Sequence, residues 1–162
     1  MIWGVISDSH DNLPLLRKAL EEFRREGVEK IIHAGDFVSP FTARLFEGWE
    51  GKLIGVFGNN DGEKRGLRKA YQKIGEIYED FFLGEIEGFR LYLTHRGELV
   101  EYLARGGEID FLIYGHTHSP EIKKIGDSLI LNPGESSGWL TGSPSVALLF
   151  PEERKAEIIH LR

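Results

Sequence analysis

Polar side chains follow five apolar runs of the sequence, each at the point where a buried strand would end. The five segments are VISDSH, IIHAGD, VFGNND, LYLTH and LIYGHTH. Neighbouring strands of an open α/β sheet bring such tails together at their carboxyl ends, which is where ligands bind. The oxygen and imidazole side chains gathered in this way would be Asp8, His10, Asp36, Asn59, His95, His116 and His118.

This mixture of side chains suits divalent metal ions. Two aspartates, one asparagine and four histidines supply the oxygen and nitrogen ligands that manganese, iron, nickel, cobalt and zinc accept. A carboxylate can bridge two such ions about 3.5–4 Å apart, and the pair then lowers the pKa of a bound water and holds phosphate oxygens. The chain has no cysteine, so thiolate ligands and disulfides are excluded.

Each of these residues also has a plainer interpretation when it is taken alone. Asp8 could cap the turn after its strand, and Gly-Asp and Gly-Asn are common turn dipeptides. His95 could be a hydrogen-bonded core residue. The sharpest signal is the pair His116 and His118, two residues apart just beyond a buried strand. The ordinary preference of polar residues for turns could explain one such segment. It does not readily explain five segments that each place polar residues directly after an apolar strand.

Two of the six histidines fall outside this set of potential ligands. His33 is predicted to lie inside a strand and to have a structural role. His160, near the C-terminus, is predicted to lie at the surface.

Strands alternate with helices in the first half of the chain and give way to hairpins in the second. The predicted strands are residues 2–7, 30–33, 53–57, 81–86, 89–94, 110–114, 121–125, 128–131, 146–150 and 156–161. The predicted helices are one capped by Asn12 and ending at Gly27, one capped by Ser39 and ending at Gly48, and one near residues 63–74. This order predicts a single α/β domain over residues 1–162, whose sheets pack together with helices outside.

The composition is that of an ordinary globular protein, with 41% hydrophobic and 28% charged residues. No apolar run approaches the roughly 18–20 residues that cross a bilayer, and the first residues do not resemble a secretion signal. We therefore expect a cytoplasmic protein without membrane contact. The net charge of −6 argues against stable nucleic-acid binding. The stretch richest in basic residues, 63–69, is predicted to be the solvated face of a helix.

The ordered motifs resemble those of the calcineurin-like metallophosphoesterases, particularly their small single-domain phosphodiesterase branch. The chain shows DSH at 8–10, GD at 35–36, GN at 58–59, TH at 94–95 and GHTH at 115–118, which spans nearly its whole length. The resemblance implies a four-layer α/β/β/α sandwich and two divalent ions, with manganese the first choice. It implies one ion held by Asp8, His10, Asp36 and His118, and a second held by Asp36 as the bridge with Asn59, His95 and His116.

The sequence departs from the family pattern at two places. Many relatives have Gly-Asn-His-Asp, whose histidine can protonate the leaving group, but this chain has Asn60 before Asp61, and an asparagine has no proton to give at neutral pH. Many relatives carry His-Gly-His, but here Arg96 and Gly97 follow the lone histidine. Arg96 either holds a phosphate oxygen or faces solvent. The residues that we predict to take part in catalysis are Asp36, Asn60, Asp61 and Arg96.

The function expected from these residues is hydrolysis of a small phosphoester, most favourably a diester, by in-line attack of a hydroxide that bridges the two ions. A phosphomonoesterase is one alternative, and a metal-bearing interaction scaffold without turnover is another. A nucleotide-binding domain is the weakest, because neither G-x-x-x-x-G-K-[ST] nor G-x-G-x-x-G occurs. A homo-oligomer is compatible with the sequence.

Overall fold

A computed structural model describes all residues, 1–162, and contains eleven strands, three α-helices and one 3₁₀ helix. The strands are β1 (Trp3–Ile6), β2 (Lys30–His33), β3 (Leu53–Val56), β4 (Gly75–Tyr78), β5 (Phe81–Ile86), β6 (Phe89–Thr94), β7 (Phe111–Ile113), β8 (Glu121–Ile125), β9 (Ser128–Asn132), β10 (Ser145–Phe150) and β11 (Lys155–His160). The α-helices are α1 (Leu13–Arg25), α2 (Lys64–Tyr71) and α3 (Val100–Arg105), and the 3₁₀ helix is Pro40–Phe46.

The strands form two mixed sheets. The first has the order β11-β10-β1-β2-β3-β4, in which β1 to β4 are parallel and β10 and β11 are antiparallel to their neighbours. The second has the order β5-β6-β7-β9-β8, in which β6, β7 and β9 are parallel and the two edge strands are antiparallel. The parallel strands are the ones whose carboxyl ends carry the polar tails, so the topology brings those tails together.

Three apolar clusters separate four layers of secondary structure. The largest, with 19 buried residues, lies between the first sheet and the helices α1, α2 and 3₁₀. A second cluster of 15 buried residues lies between the two sheets, and a third of 7 lies between the second sheet and α3. The predicted α/β/β/α sandwich is therefore confirmed. None of the helices combines the length and the apolar character that a membrane span requires.

Helix α1 forms where the sequence pattern places it. The side chain of Asn12 accepts a hydrogen bond from the backbone of Leu15, as expected of an N-cap, although the N···O distance of 3.3 Å makes the bond a long one. The stripe that includes Leu16, Leu20 and Phe23 is buried against the first sheet. The helix stops just before Gly27, whose positive φ of +72° suits a residue without a side chain.

Three local predictions about helices differ from the structure. Residues 40–46 form a 3₁₀ helix, and the hydroxyl of Ser39 donates to Asp11 at 2.6 Å instead of capping that helix. Helix α2 ends at Tyr71, because the chain must then turn into β4, which pairs in parallel with β3. Strand β4 and helix α3 are not predicted from the sequence, since β4 buries only Ile77 and a helix of six residues is too short to show a clear period.

His33 lies at the end of β2 and is fully buried, which confirms its predicted position inside a strand. Its ring stacks on Phe37 with 3.6 Å between ring centroids, and its Nδ1 accepts a hydrogen bond from the backbone of Gly35. Its Nε2 lies 3.1 Å from the hydroxyl of Ser9. Burial lowers the pKa of His33 to about 3, so this imidazole is neutral in the folded protein. His160 is exposed, as predicted.

The neutral His33 is expected to make folding sensitive to acid. The folded pKa is about 3 and the ordinary value is 6.5, so the unfolded chain takes up this proton first as the pH falls. The contribution of neutral His33 to the free energy of unfolding should be fully present above pH 6.5. It should decline below that pH by at most about 1.4 kcal/mol per pH unit. Urea unfolding in the presence of chelator, between neutral pH and pH 4, should show a shallower decline for His33→Asn than for the native chain. His160→Asn is the matched surface control. Equal slopes for the native chain and His33→Asn would contradict this account.

Candidate metal centre

The predicted ligands all occupy loops that follow strands at one edge of the sandwich. Asp8 and His10 follow β1, Asp36 follows β2, and Asn59 follows β3, so the first sheet supplies four of the seven. The second sheet supplies the other three from the loops after β6 and β7, namely His95, His116 and His118. The structure brings all seven side chains to one site.

Asp8 forms the centre of one group. Its Oδ1 lies 3.5 Å from Nε2 of His10 and 3.3 Å from Nε2 of His118. The rings of His10 and His118 stack with 5.4 Å between their centroids. These three side chains present one oxygen and two nitrogen atoms to a common point.

Asp36 connects this group to a second one. Its Oδ2 lies 3.3 Å from Nε2 of His10 and 3.4 Å from Nε2 of His95. Asn59 places its Oδ1 2.9 Å from Nε2 of His95 and 3.0 Å from Nδ1 of His116. The carboxylate of Asp36 therefore faces histidines of both groups.

The donor atoms fit divalent cations. Oδ1 of Asp8 and Nε2 of His10 are buried without any hydrogen-bond partner, which is costly for polar atoms unless a ligand uses them. Ligand atoms about 2.0–2.2 Å from an ion stand roughly 3 Å or slightly more from each other. The separations of 3.3 and 3.5 Å between Asp8 and the two imidazoles match that spacing. The side chains at this site thus suit manganese, iron, nickel, cobalt or zinc.

The backbone is strained where it carries the ligands. Five of the seven have a positive φ, between +40° and +67°, and these are Asp8, His10, Asp36, His116 and His118. Such conformations are uncommon for residues with side chains and gather at functional sites.

Two motif glycines are needed because the carboxylates approach so closely. A Cβ at Gly58 would collide with Oδ1 of Asp36, and a Cβ at Gly115 would stand 2.8 Å from Oδ2 of Asp8 and closer still to Ser7. The glycine before Asn59 and the glycine before His116 therefore have a steric cause in the site itself.

Both buried aspartates remain ionised. Burial alone would raise the pKa of Asp8, but the imidazole of His10 and a 2.6 Å hydrogen bond from Ser7 outweigh it and hold the pKa below its usual value. Burial likewise opposes the shift at Asp36, yet His95 and two hydrogen bonds from Asn60 hold its pKa far below the ordinary range. The site therefore concentrates negative charge that cations would neutralise.

Comparison with known proteins identifies the family. Residues 1–154 match the model of the calcineurin-like phosphoesterase superfamily domain. The chain belongs to this superfamily.

Curated relatives place the chain in the small phosphodiesterase branch. A phosphodiesterase of Methanocaldococcus jannaschii is 41% identical over 156 residues, which cover 94% of each chain. A phosphodiesterase of Escherichia coli is 32% identical over 155 residues, covering 86% of this chain and 81% of that one. The expected family, branch and class of phosphoric ester hydrolase are confirmed.

Solved structures agree on the fold. An archaeal phosphodiesterase superposes with a TM-score of 0.92 at 40% identity, covering 99% of this chain and 100% of that one. Vacuolar protein sorting 29 of Cryptosporidium parvum superposes with a TM-score of 0.67 at 18% identity, covering 98% and 95% of the two chains. The second likeness shows the fold alone.

The histidines of this phosphoesterase are oriented by contacts behind them. Nδ1 of His95 lies 2.7 Å from the carbonyl oxygen of Ala34, which fixes the ring with Nε2 toward the site. Nδ1 of His118 lies 2.6 Å from Oε2 of Glu135. The sequence analysis did not single out Glu135, which lies in a loop after β9 and belongs to no motif.

Glu135 holds a whole loop as well as His118. It is fully buried and accepts hydrogen bonds from the backbones of Leu140, at 3.0 Å, and Thr141, at 2.5 Å. The hydroxyl of Ser137 also donates to it, at 3.2 Å. A fully buried glutamate after β9, facing the paired histidines, is a signal that topology reveals and sequence spacing does not.

Asp61 and Asn60 support Asp36 rather than lining the site independently. The carboxylate of Asp61 accepts hydrogen bonds from the backbones of Asp36 (2.9 Å), Val38 (2.7 Å) and Gly58 (2.7 Å), which locks two ligand loops together. The side-chain amide of Asn60 donates to Oδ2 of Asp36 at 2.9 Å. Asp61 is buried, whereas Asn60 is exposed.

Arg96 lies at the mouth of a cavity beside the second group of ligands. The cavity has a volume of about 360 Å³, and its walls include Asn59, His95 and Arg96. The guanidinium of Arg96 is largely exposed and has only Glu98, 4.0 Å away, as an ionic partner. Lys64, also on the wall, is instead paired with Glu79 at 2.7 Å. Arg96 is thus the less neutralised of the two cations.

Replacing Glu135 by glutamine should weaken metal binding about 10- to 100-fold, because a neutral amide makes a weaker hydrogen bond to Nδ1 of His118 and holds the ring less firmly. Competition against a chromogenic zinc chelator measures the affinity, and circular dichroism shows whether the variant folds. Glu85→Gln, an exposed change on β5, is the matched control. If folded Glu135→Gln binds zinc as tightly as the native chain, Glu135 does not act on the ligand.

Proposed function

We propose that this phosphoesterase hydrolyses phosphate diesters at a two-metal centre, by in-line attack of a hydroxide on phosphorus. The observation that carries the proposal is the convergence of two ionised carboxylates and four imidazoles, with Oδ1 of Asp8 and Nε2 of His10 buried without hydrogen-bond partners. Four imidazoles among seven ligands favour manganese, nickel, cobalt, iron or zinc over magnesium.

The two groups of side chains correspond to two ion positions. Asp8, His10, Asp36 and His118 would hold the first ion, and Asp36, Asn59, His95 and His116 would hold the second. Asp36 as the shared ligand is supported by its distances of 3.3 and 3.4 Å to histidines of both groups. When bound, the pair of ions supplies a water of lowered pKa and positive charge for the phosphate oxygens.

The remaining residues position the ligands and the substrate. Asn60 orients the shared carboxylate through its hydrogen bond to Asp36, and Asp61 fixes the loops from which Asp36 and Gly58 extend. Arg96 binds an oxygen of the phosphate from the cavity next to His95. The side chain of Asn60 cannot supply a proton to the leaving group.

Charge around the cavity favours a diester over a monoester. A diester carries one negative charge at neutral pH, whereas a monoester carries up to two. Arg96 is the one weakly paired cation on the wall, and Glu79 and Asp80 line the same cavity. The relatives at 41% and 32% identity are phosphodiesterases, which agrees with this preference.

The scaffold alternative has less support. Vacuolar protein sorting 29 shares the fold at 18% identity, but that likeness does not extend to what the protein does. A scaffold needs no ligands, yet all seven candidate ligands are present here and converge.

The proposed function predicts that activity requires two transition-metal ions per chain. Hydrolysis of bis(p-nitrophenyl) phosphate should vanish with a chelator and return with manganese better than with magnesium. Elemental analysis after manganese loading should approach two equivalents. A stoichiometry that stays at one, or equal rescue by magnesium, would sink the assignment of the histidines as ligands.

The absence of a protonating group at position 60 predicts a steep dependence on the leaving group. Rates for a series of aryl diesters should fall strongly as the leaving-group pKa rises, because the departing oxygen keeps its charge. Asn60→His places an imidazole beside the Asp36 carboxylate, which favours its protonated form. The slope should then flatten, since such proton transfer is worth roughly 10²–10⁴-fold in favourable cases.

Asn60→Gln is the control for these leaving-group slopes, because it keeps an amide and should keep the steep slope. A shallow slope in the native enzyme would mean that another group already supplies the proton.

A further inference from the structure

Trp139 differs from the other tryptophans of the chain. Trp3 and Trp49 are buried, with 0% and 3% of their surface exposed, whereas Trp139 is 64% exposed. It lies in the loop between β9 and β10, directly after Gly138, whose φ is +66°. An exposed indole offers an apolar aromatic face on which a planar group can stack.

The indole of Trp139 is fixed to the metal centre. Its Nε1 donates a hydrogen bond to the carbonyl oxygen of His10, 3.1 Å away, and His10 is a proposed ligand. This bond occupies the polar edge of the ring and leaves its faces free. The ring therefore lies against the backbone of a proposed ligand.

The loop that carries Trp139 is anchored on its other side as well. Glu135 accepts hydrogen bonds from the backbones of Leu140 and Thr141 and also contacts the ring of His118. Asn12, close to His10 in sequence, donates to the carbonyl of Ser137 at 2.8 Å. Two ligands of the first ion thus hold the loop from both directions, so that Trp139 has a defined position relative to the site.

We propose that Trp139 is a stacking surface for a planar group of the substrate, and that nucleoside phosphodiesters are therefore the preferred substrate class. This inference rests on the proposed function. In a nucleoside 5′-phosphodiester, the sugar separates the base from the phosphate, so a base on Trp139 and a phosphate at the ions can be bound together. Every nucleobase has a π-face, so the surface selects for a base without selecting one sequence.

Two substrates with the same leaving group separate stacking from chemistry. The p-nitrophenyl ester of adenosine 5′-phosphate has a base, and methyl p-nitrophenyl phosphate has none, while both release p-nitrophenolate. Trp139→Ala should raise KM for the adenosine ester about ten-fold or more, and leave kcat and the KM of the methyl ester nearly unchanged. An equal change in KM for both esters, or no change for either, overturns the inference.

Trp139→Phe distinguishes stacking from support of His10. Phenylalanine keeps an aromatic face but cannot donate to the His10 carbonyl. If stacking is the role, Trp139→Phe should restore most of the low KM that Trp139→Ala loses. If the hydrogen bond is what counts, the phenylalanine variant should be as poor as the alanine variant, which contradicts the inference. Tyr102→Ala, at an exposed aromatic residue of α3, is the control and should behave as the native enzyme.

Fluorescence gives a readout that does not depend on turnover. Because the other two tryptophans are buried, quenching of exposed tryptophan emission reports on Trp139. With zinc-loaded protein, adenosine 5′-monophosphate should quench this emission saturably, and ribose 5-phosphate, which lacks the base, should not. Equal responses to both ligands overturn the stacking inference. Failure to hydrolyse either ester, with base-dependent quenching intact, would instead reject the proposed function and keep the stacking surface.

Discussion

The structure depends on burying two ionised carboxylates at one edge of the sandwich. Removing a carboxylate from water costs several kcal/mol unless partners replace the lost solvation. At Asp36 the partners are imidazoles and two hydrogen bonds from Asn60, and Oδ1 of Asp8 still has no hydrogen-bond partner. These negative charges, with one oxygen of Asp8 left free of hydrogen bonds, favour the binding of cations. The strained backbone persists there because the surrounding strands hold the loops in place.

Neither sheet could build this site alone. The carboxylates and Asn59 come from the first sheet, and three of the four histidines come from the second. The distances that join the two sheets, 3.3 Å from Asp8 to His118 and 3.4 Å from Asp36 to His95, therefore depend on how the sheets pack face to face. Trp3 of the first sheet packs edge-on against Phe89 and Phe111 of the second, 6.1 and 5.8 Å away. The apolar interior thus sets the geometry of the polar edge.

The convergence of the candidate ligands could be predicted from sequence because each follows a strand, and parallel strands end at the same edge. Residues that act through tertiary contacts could not be predicted from the sequence. Glu135 reaches His118 only after the chain has passed through β8 and β9, so no local spacing reveals it. Asp61 is part of a motif, but its three backbone hydrogen bonds to two loops are visible only in the fold. Strand β4 and helix α3 are short elements whose conformation comes from their neighbours rather than from a pattern of their own.

The residues around the ligands separate two requirements on a substrate. The amide of Asn60 is used to hold Asp36, and solvent reaches this side because Asn59 and Asn60 are exposed. Under the proposed function, the departing oxygen therefore depends on ions or solvent to meet its charge, which constrains the chemical step. Arg96 and Trp139 lie outside the candidate ligand set, and the roles proposed for them act on binding, one through charge and the other through an apolar face. Substrate choice can therefore change through these two positions while the ligands, and the buried charge they must balance, stay fixed.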